Sequence, residues 1–249
     1  MSRTIAVINA RMGSERLPGK PLREIAGRPL LGHLINRVQQ VRGIDGLVVA
    51  TPESQKNDCI EAFCKQEGVS SFRGAEDDVL GRMLGALEET KAVIGIEVYG
   101  DGPLIDPAMI EECLGIFQEK GSYDLVGNDM KATYPSGMYT EVFTVAALRN
   151  SAERTKDPAI REHGTIFLRQ HPDIYRVKNV EARGILHRPD IHLDVDTEFD
   201  LKVIEAIVQH FAPRKDFTLE EILGFLDAHQ EIAESNRHIH RRWKQYQYA

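Results

Sequence analysis

Residues 11–20, RMGSERLPGK, constrain the fold more tightly than any other stretch. Three cations, Arg11, Arg16 and Lys20, and two glycines, Gly13 and Gly19, follow directly on the apolar run IAVIN at residues 5–9. A strand that delivers such a loop suits a polyanion, because glycines let backbone N–H groups approach an anion and fixed cations neutralise it. A phosphate chain is the expected guest. The P-loop pattern G-x-x-x-x-G-K-[ST] is nearly matched and fails twice. Counted from Gly13, the second glycine position holds Pro18, and Pro21 follows Lys20 where a metal-binding hydroxyl and a helix-opening N–H are required. No G-x-G-x-x-G dinucleotide fingerprint stands in this loop.

The surrounding pattern alternates between strand and helix. Leu30, Leu31, Leu34, Ile35, Val38 and Val41 recur at helical spacing and stop at Gly43. Residues 46–51, GLVVAT, predict a second strand, 54–66 a second helix and 69–72 a third strand. Residues 77–90 predict a helix with acidic residues at its start, where the helix dipole favours them. Residues 96–99 predict a strand that ends in Gly100 and Asp101, and Pro107 opens the next helix. This is the signature of an α/β fold with a mostly parallel sheet covered on both faces. From 123 to about 180 the pattern loosens. Residues 124–127 and 140–144 read as strands and 171–180 as a hairpin strand, which predicts a small antiparallel lobe. Residues 191–195 predict a last sheet strand, and 197–210 and 218–234 closing helices, the second with Thr218 and Glu221 as a capping box.

At 249 residues and 42% hydrophobic content the chain suffices for one domain, expected over 1–249 with a substrate and dimerisation lobe near 123–190. A net charge of -7 argues against general nucleic-acid binding, so the cationic loop is a local feature aimed at a small ligand. Cys59, Cys64 and Cys113 lack the pairing of a disulfide framework or zinc site and fit core thiols. The first strand leaves no room for a leader, and no apolar run approaches ~18 residues, so a soluble cytoplasmic protein is expected.

Asp101 and Asp196 each follow an apolar run, in EVYGDGPLID and IHLDVDTEFD, and the strand-end rule brings both to the sheet edge that carries the loop. Two carboxylates beside a triphosphate site suit Mg2+, which takes one or two carboxylates plus phosphate oxygens. The competing role for Asp196 is to cap the following helix. Asp194 shares the alternation of Asp196, and Asp200 falls in the first helical turn. Arg161, Glu162 and His163 form a polar triplet in the looser lobe, and Gly137 and Glu141 flank a turn into a strand. This lobe is where a second substrate would bind. The tail at 238–249, rich in His, Arg, Trp and Tyr, is expected to fray, to touch a partner subunit or to fold over a site edge.

The run ARMGSERLPGKPL with IAGRPLLGHLINRV resembles the signature of the sugar-activating cytidylyltransferases, which make CMP-Kdo and CMP-sialic acid, and of the similar spore-coat polysaccharide biosynthesis family. GAEDDVLGR, GDGPLIDP, YPSGMYTEVF, REHGT and DVDTEFDL follow in that family's order, so the resemblance covers residues 4–205. It implies a Rossmann-like three-layer sandwich of the nucleotide-diphospho-sugar transferase type, paired as a homodimer. It also implies that Arg11, Ser14, Arg16 and Lys20 hold the CTP phosphates, with Gly13 in the same loop. The backbone near Ala10 and residues 74–78, including Gly74, Asp77 and Asp78, would contact the cytidine. Asp101 matches the metal-binding aspartate and Asp196 the second one, while Gly137, Glu141, Arg161, Glu162 and His163 are expected at the sugar, with Arg161 on its carboxylate. Two departures stand out: Gly102 replaces a frequent Cys, and Gly164 a frequent β-branched residue.

The function implied is Mg2+-dependent transfer of CMP from CTP to an acidic sugar, with Arg11, Arg16, Lys20 and Asp101 as the catalytic set. The alternatives are a glycosyltransferase that uses a nucleotide-sugar, for which DVD at 194–196 would be the D-x-D motif, and a non-catalytic nucleotide-binding protein of the same fold.

Overall fold

A computed structural model of the chain describes residues 2–120 and 123–241. Its strands are β1 (Thr4–Asn9), β2 (Glu24–Ile25), β3 (Arg28–Pro29), β4 (Gly46–Pro52), β5 (Ser70–Gly74), β6 (Ile94–Tyr99), β7 (Leu125–Gly127), β8 (Thr140–Thr144) and β9 (Val177–Asn179). The helices are α1 (Leu30–Val38), α2 (Asp58–Gln66), α3 (Val79–Glu89), α4 (Pro107–Lys120), α5 (Val145–Arg154), α6 (Pro158–Arg161), α7 (Ile166–Gln170), α8 (Glu198–Phe211), α9 (Leu219–Ala228) and α10 (Gln230–Glu234).

The period of two along β1 decides the layering. Ala6 and Ile8 face one side, where they meet Leu31, Leu34 and Ile35 of α1, Ile60 of α2 and Cys113 and Phe117 of α4. Ile5 and Val7 face the other, against Leu80, Met83 and Leu87 of α3 and Leu148 of α5. A strand buried on both faces has no room for polar alternation, which is why IAVI reads as a continuous apolar run. A third cluster packs α8 and α9 against Leu104, Met138, Leu193 and Val195.

Seven strands form one sheet in the order β5-β4-β1-β6-β8-β7-β9. β5, β4, β1 and β6 run parallel, β8 is antiparallel to β6 and β7, and β9 is parallel to β7. The antiparallel part of the looser region thus continues the main sheet, because β8 pairs directly with β6. A separate two-stranded antiparallel sheet, β2 with β3, sits just before α1. Strand order reverses beside β1: the chain builds outward to β4 and β5, then returns to lay β6 on the other flank. In open α/β sheets that reversal marks the ligand crevice.

Three expectations need correction. Residues 191–195 do not form a sheet strand; they run extended, with one isolated bridge from His192 to Ser136. Their partners are turns, since Leu193 N–H donates to Ser136 O (2.9 Å) and Val195 N–H to Asp101 O (2.8 Å). Residues 171–180 supply only the short β9, which pairs in parallel with β7 and forms no hairpin. The expected helix 218–234 is two helices that meet at His229. Residues 242–249 of the expected tail lie outside the described residues.

Candidate active site

The loop at 11–20 is held from both ends. Met12 N–H donates to Asn57 Oδ1 (2.9 Å) and Gly19 N–H to Met12 O (3.2 Å). Gly19 sits at φ 71, a left-handed conformation that glycine adopts freely. Pro21 has no N–H to lose in the short 3-10 turn Lys20–Leu22 that follows. That turn aims the Lys20 ammonium inward, where Nζ donates to Val195 O (2.8 Å) and lies 3.4 Å from Asp196 and 3.8 Å from Asp101. Arg16 reaches the same place, with Nη2 2.7 Å from Asp196 Oδ2. One cation thus reaches both aspartates, Asp101 after the end of β6 and Asp196 on the extended segment before α8.

Asp196 is not the helix cap. Thr197 is the N-cap of α8 and Asp200 completes its capping box, leaving the Asp196 carboxylate to Arg16 and Lys20, with Arg241 3.9 Å away. Asp194 lines the same cleft with different partners: Ser136 Oγ donates to it, and Arg241 lies 3.3 Å from its other oxygen. Arg241 is fully buried, reaches Asp200 at 2.6 Å, and arrives on a segment whose His240 carbonyl accepts from Arg16 (3.0 Å). The described end of the tail therefore folds over the edge of the site. Asp101 is crowded: burial first, and then Asp196 and Asp194, push its carboxyl up to about 6 against the pull of Lys20. Gly102 packs so closely here that a Cβ on it would lie 2.5 Å from the Gly137 carbonyl oxygen. Gly137, at φ 85, is itself pressed on Leu193, so these two glycines let the turn after β6 meet the segment that carries Asp194 and Asp196.

A cleft of about 810 Å³ opens from the loop across the ends of β1 and β6, within the usual range for small-molecule sites. Its inner wall carries a buried acidic cluster. Arg169, on α7, bonds Asp129 and Glu141, and its Nη2 donates to the Tyr99 hydroxyl (2.8 Å). Glu97, in β6, is 4% exposed and accepts from Asn9 Nδ2 (3.2 Å) through Oε1. Burial and the neighbouring Glu141 push the Glu97 carboxyl up to about 8. Arg82 is also buried in this cleft, and its Nη1 donates to the carbonyls of Ala75 (2.6 Å) and Glu76 (3.1 Å), tying the 74–78 loop to α3.

Most of the anticipated residues converge on this cleft. Ala10, Arg11, Gly13, Ser14, Arg16, Lys20, Asp77, Asp101, Gly137, Glu162, His163 and Asp196 line it. Gly74, Asp78, Glu141 and Arg161 stand behind the wall. Asp78 caps α3 by accepting from Gly81 N–H (2.8 Å) and pairs with Arg161 at 2.6 Å. Arg161 also donates to the carbonyls of Ala152 and Thr155, so its guanidinium is held by α5 and α3 and is turned away from the sugar carboxylate expected there. Glu141 is wholly buried against Arg169 and Thr165 and organises the wall from behind. Sequence reasoning missed Glu97, Asp129, Arg169, Arg82 and Arg241. Glu97 carried a signal, a lone charge inside the apolar strand IGIEVY, where ionised residues are rarely buried without a partner.

Comparison with known proteins agrees with this arrangement. The spore coat polysaccharide biosynthesis protein SpsF of Bacillus subtilis is 33% identical over 239 residues, spanning 94% of this chain and 98% of that one. A 3-deoxy-manno-octulosonate cytidylyltransferase of Escherichia coli is 36% identical over 116 residues, 46% of either chain. The structure of a cytidylyltransferase from Leptospira borgpetersenii serovar Hardjo-bovis superposes with a TM-score of 0.90 at 26% identity, over 97% of this chain and 100% of that one. The sequence profile of the cytidylyltransferases matches residues 5–230, which contain the loop, both aspartates and the whole sheet. With cations and carboxylates meeting at the sheet's switch point as a nucleotide site requires, the chain belongs to the cytidylyltransferase family.

Proposed function

We propose that this chain transfers CMP from CTP to an acidic sugar of the 3-deoxy-ulosonic or nonulosonic class and releases pyrophosphate, for surface polysaccharide or glycoconjugate synthesis. The observation that carries this is the meeting of Lys20 with Asp101 and Asp196, at 3.8 and 3.4 Å, beneath the cationic loop. The 3-deoxy-manno-octulosonate named for the Escherichia coli relative supports the sugar class. A hydroxyl of the sugar attacks the α-phosphorus as the bond to the pyrophosphate oxygen breaks. Arg11, Arg16 and Lys20 hold the triphosphate and offset charge that grows on the leaving group, while Gly13 and Ser14 let the backbone approach it. Ala10 and Asp77 border the cytidine, and Gly137, Glu162 and His163 border the sugar.

Asp101 and Asp196 suit Mg2+. Burial and the neighbouring Asp196 and Asp194 raise the Asp101 carboxyl, which an added cation would relieve, and the pair offers two carboxylates where, among the described residues, no cluster of three or more acidic, His or Cys ligands forms a self-sufficient cage. That is the donor set of a metal that arrives with phosphate oxygens. When bound, Mg2+ supplies charge neutralisation at the phosphates. Among the described residues no helix is long and apolar enough to cross a membrane, which accords with an enzyme that works in the cytoplasm, and we take it to act as a homodimer. The test is pyrophosphate release from CTP with Mg2+ over a panel of 2-keto-3-deoxy sugar acids. Release that requires both CTP and one of the acids is expected. Consumption of a CMP-sugar without pyrophosphate release from CTP would instead identify a glycosyltransferase.

A further inference from the structure

The inner wall of the cleft holds more acid than the proposed reaction uses. Glu97, Asp129 and Glu141 lie together in the buried wall, and Arg169 is bonded to Asp129 and Glu141. Glu97 receives only the amide of Asn9, and its Oε2 has no hydrogen-bond partner among the described residues. Because Asn9 Nδ2 donates to Glu97, the amide is oriented with Oδ1 as an acceptor, and that atom too is buried and unpartnered. Both residues line the cleft. Two orphaned acceptors side by side, one belonging to an acid whose neighbours are also acids, call for a donor that carries positive charge.

Gly164 packs directly on this carboxylate. A Cβ at that position would lie 2.6 Å from Glu97 Oε2 and 2.5 Å from Met83 Cε, so any side chain there would collide with the carboxylate. Glycine at 164 and glutamate at 97 are thus complementary. Two guanidinium groups near this wall are drawn to other partners, although Arg82 keeps its buried Nε unbonded among the described residues. Arg82 bonds the carbonyls of Ala75 and Glu76, and Arg161 bonds Asp78.

We propose that Glu97 and Asn9 form a specificity subsite for an ammonium substituent, so that the acidic sugar taken by this enzyme bears a free amine. This deepens the CMP-transfer reading and rests on it for the identity of the second substrate. A sugar hydroxyl in the same place supplies one hydrogen and no charge, whereas an ammonium supplies three donors and balances the extra carboxylate. Burial and the neighbouring Glu141 raise the Glu97 carboxyl, as expected for an acid buried among other acids.

The experiment compares matched pairs of 2-keto-3-deoxy sugar acids that differ at one carbon, hydroxyl in one and primary amine in the other, by calorimetric binding to the full chain. Binding is measured for the native protein, Glu97→Gln and Gly164→Ala, each first checked for a CTP-induced rise in Tm. The native protein is expected to bind an amine form at least about tenfold more tightly than its hydroxyl partner, because a site built for a hydrogen-bond donor rejects the analogue that leaves it unpaired. Glu97→Gln is expected to erase the preference, and Gly164→Ala to reduce it by displacing the carboxylate. Equal affinity within every pair, a preference that survives Glu97→Gln, or no binding of any amine-bearing acid would each overturn the subsite. Pyrophosphate release on the same panel separates the two ideas. Amine-selective binding without release sinks the transfer reaction and leaves the subsite standing, while release indifferent to the amine does the reverse.

Discussion

Replacing Glu97 by Gln should make the protein more stable in alkaline solution and leave it nearly unchanged in acid. The Glu97 carboxyl ordinarily ionises near 4.5 and in the fold is pushed up to about 8, by burial, then by Glu141 and Asp129, with Arg169 and Asn9 opposing. Between those values the unfolded chain has released the proton and the folded chain retains it. Stability therefore falls as pH rises through this window and levels off above about 8. Each pH unit spanned corresponds to about 1.4 kcal/mol, giving a ceiling of about 5 kcal/mol. Movement of Asn9 and entry of water into the cleft lower that figure, and we expect the variant to gain about 2–4 kcal/mol over the native protein between about pH 5 and about pH 8.5. Glutamine keeps the shape and still accepts from Asn9, so packing contributes little to the difference. Urea unfolding of both proteins at the two pH values measures it directly. A native-minus-variant difference that is the same at both, within about 0.5 kcal/mol, would refute the argument that Glu97 is an uncompensated buried acid.

Three further perturbations probe the remaining parts of the site. Lys20→Ala and Asp101→Ala should each cut pyrophosphate release by about 10²-fold or more while circular dichroism stays native, and near-normal turnover in either would contradict their assignment. Arg161→Ala should lower stability by about 1–3 kcal/mol through loss of its bonds to Asp78 and the α5 carbonyls. It should leave the KM for the sugar within about twofold, and a large rise in KM with unchanged urea midpoint would return Arg161 to the sugar site. Arg241→Met should cost about 3–5 kcal/mol in urea unfolding, because Asp194 and Asp200 lose a buried partner, and an unchanged midpoint would show that the pairing is unimportant.

What could be read from the sequence, and what could not, follows from the range of the forces involved. Residues 11–20 were legible because glycine, proline and like charges in close succession are a local device, and Asp101 because the end of β6 is predictable from an apolar run, whereas Asp196 reaches the same edge on an extended segment that is no strand. Arg161 misled because its partner, Asp78, stands 83 positions away, so nothing local distinguishes a tethering arginine from one that meets substrate. Arg169 was invisible for the same reason: Asp129 and Glu141 reach it only after β8 has paired with β6. Residues 191–195 read as a strand because the run alternates and is buried, yet its hydrogen bonds go to the turns at Ser136 and Asp101. Pattern reports burial; it does not report which backbone answers.

The pairing of Arg241 with Asp194 and Asp200, beside the Arg16 contact to His240, also bears on the order in which the enzyme comes into being. A nascent chain that has passed residue 205 already holds the sheet, the loop and both aspartates, but its acidic edge stays open until the last described residues emerge and swing back across it. Activity should therefore appear late in synthesis, after most of the fold. The same arrangement guides handling of the protein: Arg241 lies at the rim of the cleft, whereas the central strand β1 begins at Thr4, at the end of the strand away from the loop, so a purification tag belongs at the amino-terminal side.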